Sequence, residues 1–220
     1  MSRLYSGILA FIPVVIMLGC NVATATVTIP DPVVDAPLAA AKGEQTAVLA
    51  GGCFWGIEAV FEHVKGVIDV KSGYCGGAAN TAHYEMVSSD KTGHAESVLI
   101  KYDPSQISYG QLLKVFFSVA HDPTEFNRQG PDTGTQYRSA IFYTNEDQKR
   151  IARAYIDQLN QANVFGRPLV TEVASSPFYP AEDYHQDYAA HHPDQPYIVR
   201  YDLPKVANLR KQFPNLYRAH

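Results

Sequence analysis

A cysteine lies inside a run of glycine and aromatic residues, Gly51-Gly52-Cys53-Phe54-Trp55-Gly56. Residues Thr46 to Ala50 predict a short strand before this run, and apolar residues at i, i+3, i+4 and i+7 from Ile57 predict an amphipathic helix behind it. Cys53 therefore falls at or near a helix N-terminus, where unpaired N–H groups and the helix dipole stabilise a thiolate. Glycines also let another group approach the sulfur without interference from a Cβ atom. The pattern indicates a reactive cysteine, although most free cysteines are small buried hydrophobes.

A carboxylate lies on the apolar face of another predicted strand. Residues Ala95 to Asp103 alternate in character, and the period-2 rule puts Glu96 on the same face as Val98, Ile100 and Tyr102. Glu96 is thus expected at the mouth of this strand, beside apolar neighbours. A salt-bridged strand residue is the alternative interpretation of Glu96.

Strands and helices alternate along the rest of the chain. Further strands are predicted at 67–74, 138–143 and 169–174, and further helices after a Ser108–Gln111 capping box, after an Asn145 cap, and at 204–217. This order predicts a single domain of the α/β or α+β class, with two layers. No internal repeat and no second domain boundary is found.

The composition excludes several classes of protein. The chain has 220 residues with 46% hydrophobic and 18% charged side chains, a globular balance that excludes disorder, collagen and coiled coil. A net charge of −4 offers no basic footprint, so no nucleic-acid partner is expected. Three cysteines are too few for the disulfide framework of a small secreted scaffold.

The N-terminus has the pattern of a targeting segment. Arg3 precedes an apolar run at 7–19, and Ala23-Thr24-Ala25 fits a small–x–small cleavage site, which predicts a signal peptide at 1–25. Met17-Leu18-Gly19-Cys20 resembles a lipobox that would lipidate Cys20, and a retained membrane anchor is a third alternative. Residues 26–45 have the composition of a flexible linker, and 46–220 are predicted to form the folded domain. We therefore expect an exported protein, periplasmic or lipid-anchored at a bacterial envelope.

Several further motifs make the cysteine run specific. Together with it they resemble the A-type peptide methionine sulfoxide reductases, over roughly residues 47–217. The matching segments, in chain order, are Gly73-Tyr74-Cys75-Gly76-Gly77, Tyr84, Thr92-Gly93-His94-Ala95-Glu96, Tyr102-Asp103-Pro104, His121-Asp122-Pro123, the stretch from Gln129 to Ser139, and Tyr184-His185-Gln186-Asp187-Tyr188.

The resemblance implies an activity, a fold and a role for each site residue. The family fold is a two-layer α/β sandwich of ferredoxin-like type, with a mixed sheet. Cys53 would attack the sulfoxide sulfur of the S-epimer of methionine sulfoxide and become a sulfenic acid. Glu96, its pKa raised by desolvation, would donate a proton to the leaving oxygen. The remaining implied roles are phenol hydrogen bonds from Tyr84 and Tyr137, orientation of the site by Asp132, and binding of the substrate methyl group by Phe54 and Trp55.

The chain departs from the family in its thiols. Many relatives carry recycling cysteines in a C-terminal tail, and none follows Cys75 here. We hypothesise that Cys75 resolves the Cys53 sulfenic acid as a disulfide; the alternative is direct attack by an external thiol. No cofactor is expected beyond a thioredoxin-like thiol reductant. The other expected partners are oxidised proteins or peptides, and we expect a monomer.

Other functions stay open from the residues alone. A thiol redox sensor would use Cys53 and Cys75 as a switch, and an exported lipoprotein could bind oxidised peptides without turnover. A thioredoxin-like oxidoreductase is disfavoured, because no Cys-x-x-Cys is present. His185, His191 and His192 form a local cluster without metal-site spacing, so no metal site is predicted.

Overall fold

A mixed sheet of six strands forms the centre of the domain. The computed structural model describes residues 29–219. Its strands are β1 (Gln45–Gly51), β2 (Val67–Cys75), β3 (Ala95–Tyr102), β4 (Arg128–Gln129), β5 (Asp132–Thr133), β6 (Ser139–Phe142), β7 (Glu172–Ala174) and β8 (Phe178–Pro180). The main sheet has the order β7-β6-β1-β3-β2-β8, and β4 and β5 form a separate small hairpin. All neighbours in the main sheet are antiparallel except β6 and β7.

Within residues 29–219, six α-helices accompany the sheet. They are α1 (Phe54–Glu62), α2 (Tyr84–Val87), α3 (Tyr109–Val115), α4 (Glu146–Gln161), α5 (Tyr188–His191) and α6 (Leu203–Gln212). In chain order β1, α1, β2, β3, α3 and β6 follow the β-α-β-β-α-β pattern of ferredoxin-like folds. Among residues 29–219, no helix is both long and apolar enough to cross a membrane.

The two faces of the sheet have different neighbours. Along β3, Val98, Ile100 and Tyr102 point into the main core, which the long helices cover. The opposite face carries a smaller cluster that includes Cys75 and Ala95. The predicted single α+β domain with a mixed sheet is confirmed, and so is the alternation predicted for β3.

The predicted helix caps are present, whereas some element ends differ. Ser108 and Gln111 form both hydrogen bonds of a capping box, and Asn145 accepts from the N–H of Gln148. The terminal helix ends at Gln212 rather than at Tyr217, because Pro214 lacks the N–H that a helix interior requires. After it the chain turns back, and the N–H of Lys65 donates to the carbonyl of Leu216 at 2.7 Å.

The segment before β1 is in contact with the domain along part of its length. Ile29 is buried, and the carbonyl of Pro30 accepts a hydrogen bond from the Tyr155 hydroxyl at 2.6 Å. Asp35 accepts from the N–H of Gly110 at 2.8 Å and from the Ser108 hydroxyl. Residues 36–45 are exposed. The start of the expected linker is therefore attached to α3 and α4, while the signal peptide and Cys20 lie outside the described residues.

The Asp35 contact gives the first prediction. Asp35 supplies a negative charge to the N-terminus of α3 and accepts from one of its free N–H groups, that of Gly110. We expect Asp35→Ala to lower the free energy of unfolding by about 1 kcal/mol, measured by urea denaturation. Asp31→Ala is the matched control, because Asp31 forms only an exposed ion pair with Lys114. An equal loss for both variants would contradict the capping role.

Candidate active site

Cys53 is the N-cap residue of α1, where the predicted strand–turn–helix arrangement puts it. The two preceding glycines are needed for packing. A Cβ atom at Gly51 would lie 2.7 Å from the ring of His121, and one at Gly52, whose φ is +100°, would lie 2.6 Å from the side chain of Gln129. These glycines therefore admit two protein side chains, whereas the sequence suggested that they open a path to the sulfur.

The carboxyl group of Glu96 lies against the start of the same helix. The N–H of Phe54 donates to Glu96 Oε2 at 3.1 Å, and Glu96 is buried. Burial raises the pKa of Glu96 to about 8, with Asp132 and Asp202 adding to the effect and the Phe54 N–H opposing it. Glu96 therefore holds its proton at neutral pH and can act as an acid. The pKa is raised, as the position of Glu96 on an apolar strand face predicts.

Three tyrosines and an aspartate complete a small pocket around Cys53 and Glu96. The pocket has a volume of about 140 Å³ and is lined by Cys53, Phe54, Trp55, Tyr84, Glu96, Asp132, Tyr137 and Tyr197. Burial raises the pKa of all three phenols, which therefore remain hydrogen-bond donors. The structure thus brings together every predicted site residue except Cys75.

Tyr197 is a pocket residue that the sequence reasoning missed. Its hydroxyl donates to Asp132 Oδ2, across 65 positions of the chain. The only local signal for Tyr197 is its aromatic side chain between Pro196 and Ile198, which does not distinguish it from the other 13 tyrosines. Its contact with Asp132 fixes one wall of the pocket.

Contacts from distant segments of the chain position the two predicted tyrosines, Tyr84 and Tyr137. The carboxylate of Glu182 accepts from the Tyr84 N–H at 3.0 Å and from the Tyr74 hydroxyl at 2.9 Å. Glu182 therefore links the start of α2 to β2. Tyr137 ends a 3₁₀ turn, Thr135–Tyr137, whose first N–H is accepted by Asp90 at 2.7 Å.

Aromatic side chains form the apolar wall. Trp55 stacks on Tyr188 with ring centroids 3.8 Å apart, and its indole N–H donates to His185 Nδ1 at 3.2 Å. The Phe54 ring is buried and lies 5.0 Å from His185. Stacking and this hydrogen bond thus fix the orientation of the Trp55 ring beside Phe54.

The pKa of Cys53 differs from the prediction of a thiolate stabilised by the helix N-terminus. Burial raises the pKa of the Cys53 thiol well above its usual value, and Glu96 and Asp202 raise it further. Lys205, which is paired with Asp202 at 3.1 Å, and the N–H of Trp55 at the helix N-terminus lower it. The helix terminus acts in the predicted direction, but desolvation is the larger effect, so Cys53 is a thiol at neutral pH.

Cys75 does not lie near the pocket. It belongs to the cluster on the opposite face of the sheet from Cys53, and its thiol contacts the carbonyls of Ser176 and Pro177 at 3.4 and 3.3 Å. Both cysteines are reduced and buried. The hypothesis of a Cys53–Cys75 disulfide therefore conflicts with this arrangement, because a direct bond requires Cα atoms within about 7 Å and converging Cβ directions. The same geometry disfavours a sensor switched by these two thiols.

The histidine cluster has no shared centre. His185 is buried among the pocket aromatics, whereas His191 and His192 are exposed. His185 thus belongs to the wall of the site.

A thiol beside a protonated carboxyl group and three phenols defines an oxidoreductase site that can attack sulfur while protonating a bound oxygen. Residues 45–216 match the family described as peptide methionine sulfoxide reductase. Two curated relatives carry the name peptide methionine sulfoxide reductase MsrA 2. That of Mesorhizobium japonicum is 60% identical over 81% of this chain and 92% of the relative, and that of Synechocystis sp. is 56% identical over 87% and 91%. The chain belongs to the peptide methionine sulfoxide reductase family, and to its A-type.

Two solved structures agree with this assignment. Reduced Mxr1 from Saccharomyces cerevisiae has a TM-score of 0.62 and 31% identity, over 73% of this chain and 91% of that one. Methionine sulfoxide reductase A of Corynebacterium diphtheriae has a TM-score of 0.58 and 35% identity, over 69% and 76%. The fold around the pocket is therefore that of the family.

The charge interaction between Glu96 and Cys53 predicts a change in thiol reactivity. Ionised Glu96 raises the pKa of Cys53, so Glu96→Gln should shift the midpoint of Cys53 alkylation to lower pH, by roughly one unit. The measurement is the rate of iodoacetamide labelling between pH 7 and 11, with Cys53 identified by mass spectrometry. Glu85→Gln on the exposed side of α2 should leave the midpoint unchanged. An unshifted midpoint in Glu96→Gln would contradict this electrostatic coupling.

Proposed function

We propose that the protein reduces the S-epimer of methionine sulfoxide in oxidised proteins and peptides, and in the free amino acid. The observation that carries this proposal is the protonated Glu96 carboxyl group beside the Cys53 thiol in one pocket. Reduction of a sulfoxide needs a sulfur nucleophile and a proton for the departing oxygen, and the two groups supply both.

The first step transfers oxygen from the substrate to the enzyme. Cys53 Sγ attacks the sulfoxide sulfur while Glu96 gives its proton to the oxygen. The oxygen, now a hydroxyl group, bonds to Cys53 Sγ as its bond to the substrate sulfur breaks. The bond between the two sulfur atoms breaks in turn, and the products are methionine and a Cys53 sulfenic acid. The Cys53 sulfur is oxidised by two electrons and the substrate sulfur is reduced by two. The thiol proton of Cys53 restores the proton of Glu96, so the step is balanced.

The polar and apolar halves of the pocket divide the recognition of the substrate. Tyr84 and Tyr137 donate hydrogen bonds to the sulfoxide oxygen, where negative charge grows in the transition state. Asp132 orients this side through its bond with Tyr197. Phe54 and Trp55 take the methyl group, and the small volume of about 140 Å³ supports a compact ligand end such as a methyl sulfoxide.

An external thiol completes the cycle. One thiol attacks the Cys53 sulfenic acid and releases water, and a second thiol releases Cys53 and leaves a disulfide in the reductant. A thioredoxin-like dithiol supplies both. The position of Cys75 on the other face of the sheet favours this direct route over an internal disulfide.

The reaction is tested with separate S and R epimers of a methionine sulfoxide peptide and dithiothreitol. We expect turnover of the S epimer alone, and loss of it in Cys53→Ser. Glu96→Gln should lower kcat/KM roughly 10²- to 10⁴-fold, the usual contribution of a positioned general acid. Turnover of neither epimer by folded protein would overturn the proposed function.

The pH profile follows from the acid role of Glu96. The raised pKa of about 8 means that the active, protonated form predominates below this pH and is lost above it. We therefore expect kcat/KM for the S epimer to fall as pH rises through about 8. Glu96→Gln should lack this descending limb, and a wild-type profile that keeps rising to pH 9 would contradict the assignment.

The direct route makes a separate prediction for Cys75. Cys75→Ser should keep turnover with both dithiothreitol and thioredoxin, because the buried thiol takes no part in the cycle. Retained dithiothreitol activity with lost thioredoxin activity would instead make Cys75 the resolving thiol. The Cys53 sulfenic acid can be trapped with dimedone in both proteins, which separates the first step from the second.

We also propose that the protein is exported and repairs oxidised proteins at the cell envelope, as a monomer. The support is the positively charged start, apolar run and small-residue site within residues 1–25. N-terminal sequencing and mass analysis of the protein from fractionated cells distinguish cleavage after Ala25, lipidation at Cys20 and a retained anchor.

A further inference from the structure

An aspartate outside the pocket bonds to the turn that carries Tyr137. The N–H of Thr135 donates to Asp90 Oδ1 at 2.7 Å, and the Thr135 hydroxyl donates to the same oxygen. Thr135 begins the 3₁₀ turn Thr135–Tyr137, and Tyr137, which lines the pocket, ends it. Asp90 and Thr135 are 45 positions apart in the chain. This tertiary contact therefore leads directly to a residue of the site.

The turn cannot supply this acceptor from its own capping position. The first N–H groups of a helical turn have no partner within it, and the side chain of the preceding residue usually accepts from one of them. Here the preceding residue is Gly134, with a φ of +137°. A side chain is excluded there, because L residues rarely adopt this φ and because a Cβ atom would collide with the buried side chain of Gln136. Asp90 replaces the missing cap from another segment of the chain.

The backbone of Asp90 suits this role. Its φ is +61°, in the left-handed region, where Asn and Asp are the non-glycine residues found most readily. Its N–H donates to the carbonyl of Val87, the last residue of α2, at 3.1 Å. Residues 88–94, the segment that contains Asp90, join α2, which begins at Tyr84, to β3, which carries Glu96. Asp90 therefore connects the segment between these two pocket residues to the turn of Tyr137.

A second contact joins the same two parts of the chain at the other end of the turn. Arg138 follows Tyr137 directly, and its guanidinium donates to the carbonyl of Gly93 at 3.0 Å and to that of Thr135 at 3.0 Å. Gly93 belongs to the segment that contains Asp90. Asp90 thus holds the start of the turn, and Arg138 holds its end.

We propose that Asp90 is a positioning residue for the reaction, and that it holds the hydroxyl of Tyr137 in place relative to Glu96. Asp90 is exposed and lies outside the pocket lining, so it acts on the substrate only through the turn Thr135–Tyr137. The inference rests on the proposed function, because Tyr137 must donate to the sulfoxide oxygen for its position to affect the rate. A displacement of about 1 Å in such a group can lower the rate roughly 10²-fold.

The first test compares two replacements of Asp90 in the full-length protein, by steady-state reduction of the S epimer with dithiothreitol. Asp90→Gly keeps the left-handed backbone and removes the acceptor, so we expect kcat to fall roughly tenfold. KM should be nearly unchanged, because the phenol acts on charge that grows in the transition state. Asp90→Asn keeps both an acceptor oxygen and the left-handed backbone, so its kcat should stay within about twofold of the wild-type value.

A double-mutant cycle tests whether Asp90 acts through Tyr137. Tyr137→Phe keeps the ring and removes only the hydroxyl, so in this background Asp90→Gly should lower kcat by less than about twofold. Lys91→Gly, which removes the neighbouring exposed side chain, is the matched control and should leave kcat unchanged in both backgrounds. Iodoacetamide should label Cys53 at the wild-type rate in every variant, because Asp90 does not contact the thiol.

Two results would overturn the role of Asp90. One is an equal loss of kcat for Asp90→Gly with and without the Tyr137 hydroxyl, which a general loss of stability would produce. The other is a loss for Asp90→Asn as large as that for Asp90→Gly, since the acceptor oxygen would then be irrelevant. Failure of the proposed function gives a different result, because the folded wild type would then reduce neither epimer.

Discussion

The hydrogen bond from the Phe54 N–H to the Glu96 carboxyl group is the contact on which the site depends. It joins the first turn of α1 to β3, and it is the contact that holds a buried acid beside the reactive sulfur. It requires that α1 begin immediately after β1 and that β3 present Glu96 on the core face, opposite Tyr74 in the β2 register. A backbone N–H stabilises the ionised form of Glu96 less than a cation would. Glu96 therefore keeps its proton near neutral pH.

Burial favours the reactive form of Glu96 and disfavours the reactive form of Cys53. For Glu96, desolvation produces the proton donor, whereas for Cys53 the same desolvation opposes formation of the nucleophilic thiolate. The two effects are compatible if the thiol loses its proton only as Glu96 gives one to the substrate. Lys205 offsets part of the cost, and its pairing with buried Asp202 fixes it against the first turn of α1. A thiol that ionises only during the reaction also resists oxidation between turnovers.

Local sequence patterns predicted the helices and strands. Which further residues join the site depends on long-range contacts that local patterns do not show. The capping box at Ser108, the Asn145 cap and the alternation of β3 follow from residues within one turn or one strand, so the sequence was sufficient for them. Tyr197 lines the pocket and the Asp202–Lys205 pair lies against Gly56 of α1. Both come from a distant part of the chain, and no local spacing reveals them. The sequence also contained a rule that disfavours the Cys75 hypothesis, since Cys75 lies on the face of the sheet away from Cys53. Tyr74 and Cys75 are adjacent on a strand, so they face opposite sides of the sheet.

The C-terminal part of the chain covers a second face of α1. Glu58 and Glu62 do not belong to the apolar face of α1, yet both are buried. Segments beyond residue 180 cover that face through Asp187 near Glu58, Tyr188 on Trp55, and Asp202 against Gly56, where a Cβ atom would collide with the carboxylate. A helix covered on both sides cannot shift its N-terminus without breaking one of these contacts. The position of Cys53 relative to Glu96 is therefore set by the sheet on one side and by acidic and aromatic contacts on the other.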